Sequence, residues 1–166
     1  MDVSRIVTIR GSGLGEWLDC AACAEAKQLL GKRCPTTGKA LLGSAIHKST
    51  AVYDRSVLEG SGITVDEAAG AAVDTLQRPD EDVQLQDDEK TEELEHIAVA
   101  LHKLYCTKIA PTQEYAAVEV NCERLEITDI GIALQGKTDR VRKADGGYGI
   151  ADLKSGGTAV RADGHV

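Results

Sequence analysis

The stretch Asp145-Gly146-Gly147-Tyr148-Gly149-Ile150-Ala151-Asp152-Leu153-Lys154-Ser155 decides how this chain is read. Asp-Gly-Gly is a hairpin signal, because glycine takes the positive φ that a tight turn requires. The sequence therefore predicts a strand from Tyr148 to Ser155, turning back on a strand from Ile130 to Lys143. A strand before these runs from Glu114 to Leu125. It alternates, with Ala116, Val118, Val120 and Cys122 on one face and Ala117, Glu119 and Asn121 on the other. Thr128-Asp129 sits at the turn between them, and Pro111 marks where a helical period of 3.6 gives way to a period of 2.

Upstream of Pro111 the pattern is helical. Ser12 is placed to cap a helix whose stripe is Leu14, Trp17, Leu18, Ala21 and Ala24, reaching about Leu30. Gly31 to Gly38, with Pro35, reads as a loop. A second helix is expected from Ala40 to Leu58, with Leu42, Ile46, Tyr53 and Val57 as its apolar line and Gly60-Ser61-Gly62 ending it. Thr64 and Glu67 have capping-box spacing for a third helix to about Leu76. A fourth covers about Glu89 to Lys108, with Leu94, Ile97, Leu101, Leu104 and Tyr105 on one side. Helices followed by an antiparallel or mixed sheet make an α+β (α/β) chain, read as one domain over residues 1–166, with a helical part at 1–110 and the sheet at 111–157. A terminal three-stranded sheet is expected to leave an edge unpaired.

The composition narrows the class. The chain has 166 residues, 42% of them apolar, enough to bury a core without disulfide staples. No run of apolar residues is long enough for a membrane span. The opening Met1-Asp2-Val3-Ser4-Arg5 starts no secretion signal, so a cytoplasmic protein with reduced thiols is expected. Only 3% of residues are aromatic, which argues against a single-strand binder built on stacking rings. The net charge of −8 is concentrated in the middle: residues 61–100 hold twelve Asp/Glu against two Lys/Arg. That acidic run, including Asp80, reads as a solvated loop and helix start, and it leaves the flanking regions able to meet a phosphate backbone.

The chemistry converges on few residues. Asp152 and Lys154 are two apart, hence on one face of a strand that is otherwise apolar or small. A charged pair there costs stability unless it is paired or binds something. The hairpin brings Asp139 of Gly136-Lys137-Thr138-Asp139-Arg140 towards Asp152. Two carboxylates held close repel, and a divalent cation relieves the repulsion. Hard oxygen ligands favour Mg²⁺ or Mn²⁺, and Glu119 could join them. His47 lies about 100° round its helix from Ile46, off the apolar line, with Gly43 one turn before it leaving room beside the imidazole. The plainer reading of Asp152 and Lys154 is an exposed ion pair, and of His47 a structural histidine.

These residues, in this order, resemble the PD-(D/E)XK nuclease superfamily in its RecB-like branch, which includes phage recombination exonucleases and the nucleases of CRISPR spacer acquisition. The resemblance runs from about Ser12 to Gly157. It rests on Ser12, Leu14, Trp17 and Cys20, on Gly43-x-x-x-His47, on Glu119, on Gly136-x-x-Asp139-Arg140 and on Asp152-Leu153-Lys154. It implies a restriction-endonuclease-like core and a Mg²⁺- or Mn²⁺-dependent deoxyribonuclease, an exonuclease of phage or bacterial recombination and repair. DNA would be the substrate, with a recombination protein or a second copy of the chain as further partners. Asp139, Asp152, His47 and the carbonyl of Leu153 would hold metal. Lys154 would orient the attacking water and stabilise developing charge, with Glu119 joining the catalytic set. Ser12, Lys137 and Arg140 are the candidates for nucleic-acid contact, Lys137 and Arg140 being either phosphate-facing or structural.

The branch usually continues into a helix with a Gln-x-x-x-Tyr motif, which is missing between Gly156 and Val166. The alternative is therefore a truncated, non-cleaving binding module of the same fold. Cys20, Cys23 and Cys34 have a spacing that could hold zinc or part of an iron–sulfur cluster. Clustered relatives combine one early cysteine with three late ones, and nothing after Cys122 supplies these, so small buried thiols are expected instead. His96 and His102 are placed on a polar helix face and His165 at a frayed end, all without a role.

Overall fold

The computed structural model describes residues 6–155. Gly156, Gly157, the expected motif position beyond them and His165 lie outside the described residues. In chain order the elements are β1 (Val7–Arg10), α1 (Leu14–Asp19), α2 (Ala21–Gln28), β2 (Thr36–Thr37), α3 (Gly38–Glu59), α4 (Val65–Gln77), β3 (Val83–Gln84) and α5 (Thr91–Leu104). After them come β4 (Tyr115–Asn121), β5 (Leu125–Ile127), β6 (Ile132–Gln135), β7 (Lys137–Ala144) and β8 (Gly147–Ala151). Helices and mixed or antiparallel sheets make the expected α+β chain. It divides into two compact units, one formed by the stretch up to Cys34 with Val120–Thr138, the other by Pro35–Glu119 and the chain from Asp139 onward.

In the first unit β6 lies between β1 and β5. It pairs parallel to β1, from Val7↔Ile132 to Arg10↔Gln135, and antiparallel to β5. The expected strand from Ile130 to Lys143 is two strands. Gly131, at φ 66, starts β6 after a 3-10 turn, and at Gly136 the chain leaves that sheet and enters the one that β7 shares with β4 and β8. Glycine is where a strand changes sheets most easily, because no side chain has to be packed through the bend. The expected long first helix is also two: α1 and α2 break at Cys20, whose φ of −151 is extended. Ser12 lies in a 3-10 turn and does not cap α1, whose N-cap is Gly13. Leu18 on the expected apolar stripe is 81% exposed while Ala24 is fully buried, so only part of that stripe faces inward.

The second unit holds the hydrophobic core. Leu41, Ala45 and Ile46 of α3 meet Ala72 and Leu76 of α4 and Leu94 and Ala98 of α5. The many alanines let the three helices approach closely, while Leu42, Val83, Leu85, Leu101 and Leu153 close the edges. The ends of α3 and α4 were legible. Gly60 stops α3 in the left-handed conformation at φ 66, and Thr64 and Glu67 form the full capping box that starts α4. The expected apolar line of α3 is corrected: Ile46 is buried but Val57 is exposed, and the inner face includes Ser49, Thr50 and Asp54. After α5 a π turn over Tyr105–Ile109 rotates Tyr105 and Cys106 inward. β7 and β8 pair antiparallel from Arg140↔Ala151 to Ala144↔Gly147 across the expected hairpin. Tyr148 and Ile150 on β8, an outer strand of the described sheet, are exposed.

Candidate active site

All of the groups expected to meet a metal, other than Glu119, are carried by α3, β7 and the segment just after β8. The strand was expected to reach Ser155, but β8 ends at Ala151, so Asp152 and Lys154 lie beyond it rather than within it. The Asp-Leu-Lys alternation still governs the local arrangement. Leu153 packs against the helical core, and its neighbours Asp152 and Lys154 are about half exposed. The backbone N–H of Leu153 donates to Asp139 Oδ2 at 2.9 Å, tying the segment to β7. Lys154 Nζ lies 2.6 Å from Asp152 Oδ2.

His47 on α3 faces the same aspartate: its Nδ1 is 3.3 Å from Asp139 Oδ2. Asp152 in turn lies near enough to Asp139 and His47 for both to act on its carboxyl. Asp139, Asp152, His47 and Lys154 thus converge. The Lys154 ammonium holds the Asp152 carboxyl below its usual range against the cost of burial, with smaller help from Asp139 and His47. Reciprocally, Asp152 raises the Lys154 ammonium above its ordinary value. The space expected beside Gly43 is reached by the Ser155 hydroxyl, 3.5 Å from where a Cβ would stand.

Two carboxylates and an imidazole, all partly open to solvent, are a donor set that suits a hard divalent cation. Among the described residues, however, no group of three His, Cys, Asp or Glu side chains is already arranged to hold one. Asp139 Oδ2 is taken by Leu153 N–H and His47, and Asp152 Oδ2 by Lys154. The ammonium supplies positive charge at the place where a cation would compete for the carboxylates.

Glu119 stands on β4 with φ 54, a left-handed conformation that is rare for a side-chain-bearing residue and typical of a bulge. Its Oε2 is 3.1 Å from Arg55 NH2 on α3.

Arg140 requires a correction. It was a candidate for phosphate contact, yet its side chain is 3% exposed and its Nε lies 2.6 Å from Asp54 Oδ2. Its NH2 donates to Thr50 Oγ1 at 2.9 Å, and its NH1 to the carbonyl oxygen of Asp139 at 3.1 Å. Tyr105 OH donates to the same Asp54 oxygen at 2.6 Å, which leaves the Tyr115 hydroxyl, 2.9 Å away, as donor to Tyr105. Burial and the Asp54 carboxylate push the Tyr105 phenol far up. Of its two expected roles, phosphate-facing or structural, the buried side chain fits the structural one. It braces the backbone of the neighbouring Asp139. Sequence reading missed Asp54, Thr50 and the two tyrosines, because a buried acid is recognisable only once its base is seen beside it.

His102 is also corrected. It is wholly buried, with Nε2 3.0 Å from the carbonyl of Val65 and Nδ1 3.0 Å from Ser49 Oγ. The spacing of Leu94, Ala98 and His102 on α5 was the available signal, since residues four apart share a helix face. Ser12 and Lys137 line a cleft of about 610 Å³ in the first unit, with Arg10, Asn121, Gln135 and Gly136. Cys20, Cys23 and Cys34, expected to be buried thiols, are exposed.

A family model of the PD-(D/E)XK nuclease superfamily matches residues 12–165. The chain belongs to that superfamily. No curated protein matches the chain, and no solved structure matches it. No helix among the described residues is long and apolar enough to cross a membrane.

Proposed function

We propose that this chain is a metal-dependent nuclease that hydrolyses DNA phosphodiester bonds, with Asp139, Asp152, His47 and Lys154 as its reacting groups. Membership of the nuclease superfamily supports the reaction class. The observation that carries the assignment of residues is the 3.3 Å approach of His47 Nδ1 to Asp139 Oδ2, which brings α3 to the β7–β8 hairpin.

Asp139, Asp152 and His47 would hold Mg²⁺ or Mn²⁺, with the Leu153 carbonyl as a further oxygen and Glu119 as an additional acid on β4. When bound, such a cation polarises the phosphate and makes water easier to deprotonate. The protein's own contribution is positional. Leu153 N–H fixes one oxygen of Asp139, and Arg140 pins the carbonyl of the same residue from the buried side. Asp152 keeps Lys154 protonated, so its ammonium is available to stabilise negative charge growing on the phosphoryl oxygens. Ser12 and Lys137 are the proposed DNA contacts, and their cleft also holds Arg10. The finer reading is an exonuclease of the RecB-like branch acting in recombination or repair in the cytoplasm. The Gly43-x-x-x-His47 spacing and the Ser12-to-Cys20 stretch support it.

The test is incubation of the purified chain with linear DNA and Mg²⁺ or Mn²⁺. Wild type should degrade it, and Asp152→Ala should not. Equal behaviour of the two removes the assignment. One observation favours a second reading, a non-cleaving module of the same fold: Lys154 already satisfies Asp152. Turnover by wild type excludes that reading.

A further inference from the structure

The chain break at Cys20 creates a pair of thiols to which the nuclease reading gives no chemical role. Cys20 is the N-cap of α2 and Cys23 lies in its first turn, and the two sulfurs are 2.8 Å apart. The Cys23 backbone N–H points at Cys20 Sγ at 3.4 Å. Both cysteines are exposed. They line a cleft of about 790 Å³ in the first unit, together with Arg10, Lys27 and Arg33 and with the acids Glu16 and Asp19. Two ordinary buried thiols would lack this solvent access.

We propose that Cys20 and Cys23 form a thiol–disulfide exchange site whose co-reactant is a low-molecular-weight disulfide, and whose oxidised state is an internal Cys20–Cys23 bond. The sulfurs converge, whereas two side chains that point apart could not form such a bond. The roles of the two differ. The Cys23 backbone N–H is aimed at Cys20 Sγ and suits a thiolate there, and the contact between the two side chains lowers the Cys20 thiol and raises that of Cys23. Cys20 is thus the attacking thiolate and Cys23 the resolving thiol.

The steps balance. Cys20 thiolate attacks one sulfur of the small disulfide, a Cys20 mixed disulfide forms, and one small thiolate leaves. Cys23 then loses its proton and attacks the Cys20 sulfur, releasing the second small thiolate, which takes up a proton. The protein dithiol is oxidised by two electrons, and the small disulfide is reduced to two thiols. Arg10 and Arg33 suit this site to a co-reactant that carries carboxylates, Lys27 being paired with Glu16.

The full chain is incubated with oxidised glutathione, quenched by alkylation, digested with trypsin and mapped by mass spectrometry. Cleavage after Arg10 and Lys27 leaves Cys20 and Cys23 on one peptide, and cleavage after Arg33 puts Cys34 on another. The expected result is a peptide 11–27 that has lost two hydrogens and both alkylatable thiols, while Cys34 and Cys122 remain alkylated. In Cys23→Ser the resolving step is lost, so glutathione should stay attached at Cys20. Glutathione spread evenly over the exposed cysteines overturns the proposal, as does a disulfide joining peptide 11–27 to the Cys34 peptide. The wild-type map decides the matter even if the variant folds poorly, and neither readout depends on nuclease activity.

Discussion

Arg140 on β7 and Asp54 on α3 meet in a buried ion pair, Nε to Oδ2 at 2.6 Å, and no solvent reaches either in quantity. Asp54 Oδ2 also accepts the Tyr105 hydroxyl, and Thr50 Oγ1 takes the second guanidinium branch while donating to the carbonyl of Ile46. The pair stands directly behind the proposed metal ligands, because Arg140 follows Asp139 and donates to its carbonyl oxygen.

Removing one partner should therefore be severe. Asp54→Ala leaves a guanidinium buried without its counter-charge, and such losses run to about 3–5 kcal/mol. Urea denaturation of the full chain should show this as a lower midpoint. The double variant Asp54→Leu with Arg140→Met should lose less than Asp54→Ala, since no lone charge remains inside. A double variant at least as unstable as the single would show that the network's geometry matters more than its charge balance.

His102 should make stability depend on pH. Burial holds its pKa below the ordinary 6.5, and the Val65 carbonyl fixes the ring proton on Nε2. As pH falls through 6.5 the unfolded chain takes up a proton that the folded chain refuses, so stability declines until the folded-state value is reached. Above 6.5 this contribution is flat. Denaturation curves between neutral pH and about pH 5 should show the decline, and His102→Gln should flatten it.

The proposed reacting groups should separate activity from folding. Lys154→Ala removes a cation that is half exposed, so the thermal midpoint should barely move. The rate of DNA hydrolysis should fall roughly 10²–10³-fold, the usual loss for one charge-stabilising donor. Unchanged rates at saturating metal would take Lys154 out of the chemistry. His47→Ala should raise the metal concentration needed for half-maximal rate.

The helix cap offers a purely structural check. Thr64→Ala breaks the capping box at α4 and should cost about 1 kcal/mol by urea denaturation, with no effect on hydrolysis. Glu67→Gln should cost less, because the amide oxygen can still accept from the Thr64 backbone.

Much of this protein could be read before it folded. Local chemistry determined the stop of α3 at Gly60, the start of α4 at Thr64, the hairpin at Asp145-Gly146-Gly147 and the Asp-Leu-Lys placement with Leu153 inward. Each depends on residues within a few positions, where φ preference, capping and alternation act. Other features could only be settled by partners far along the chain. Asp54 is a core residue only because Arg140, 86 positions later, arrives beside it, and a polar stripe on α3 otherwise looks like a wet face. β1 is a strand only because β6 pairs with it in parallel, and four residues carry too little pattern to say so alone. His47 and Asp139 likewise gain their meaning by meeting. The sequence supplied the reactive groups, and only tertiary packing decided which became neighbours, because burying a charge or pairing an edge is favourable only when the complementary group is present in space.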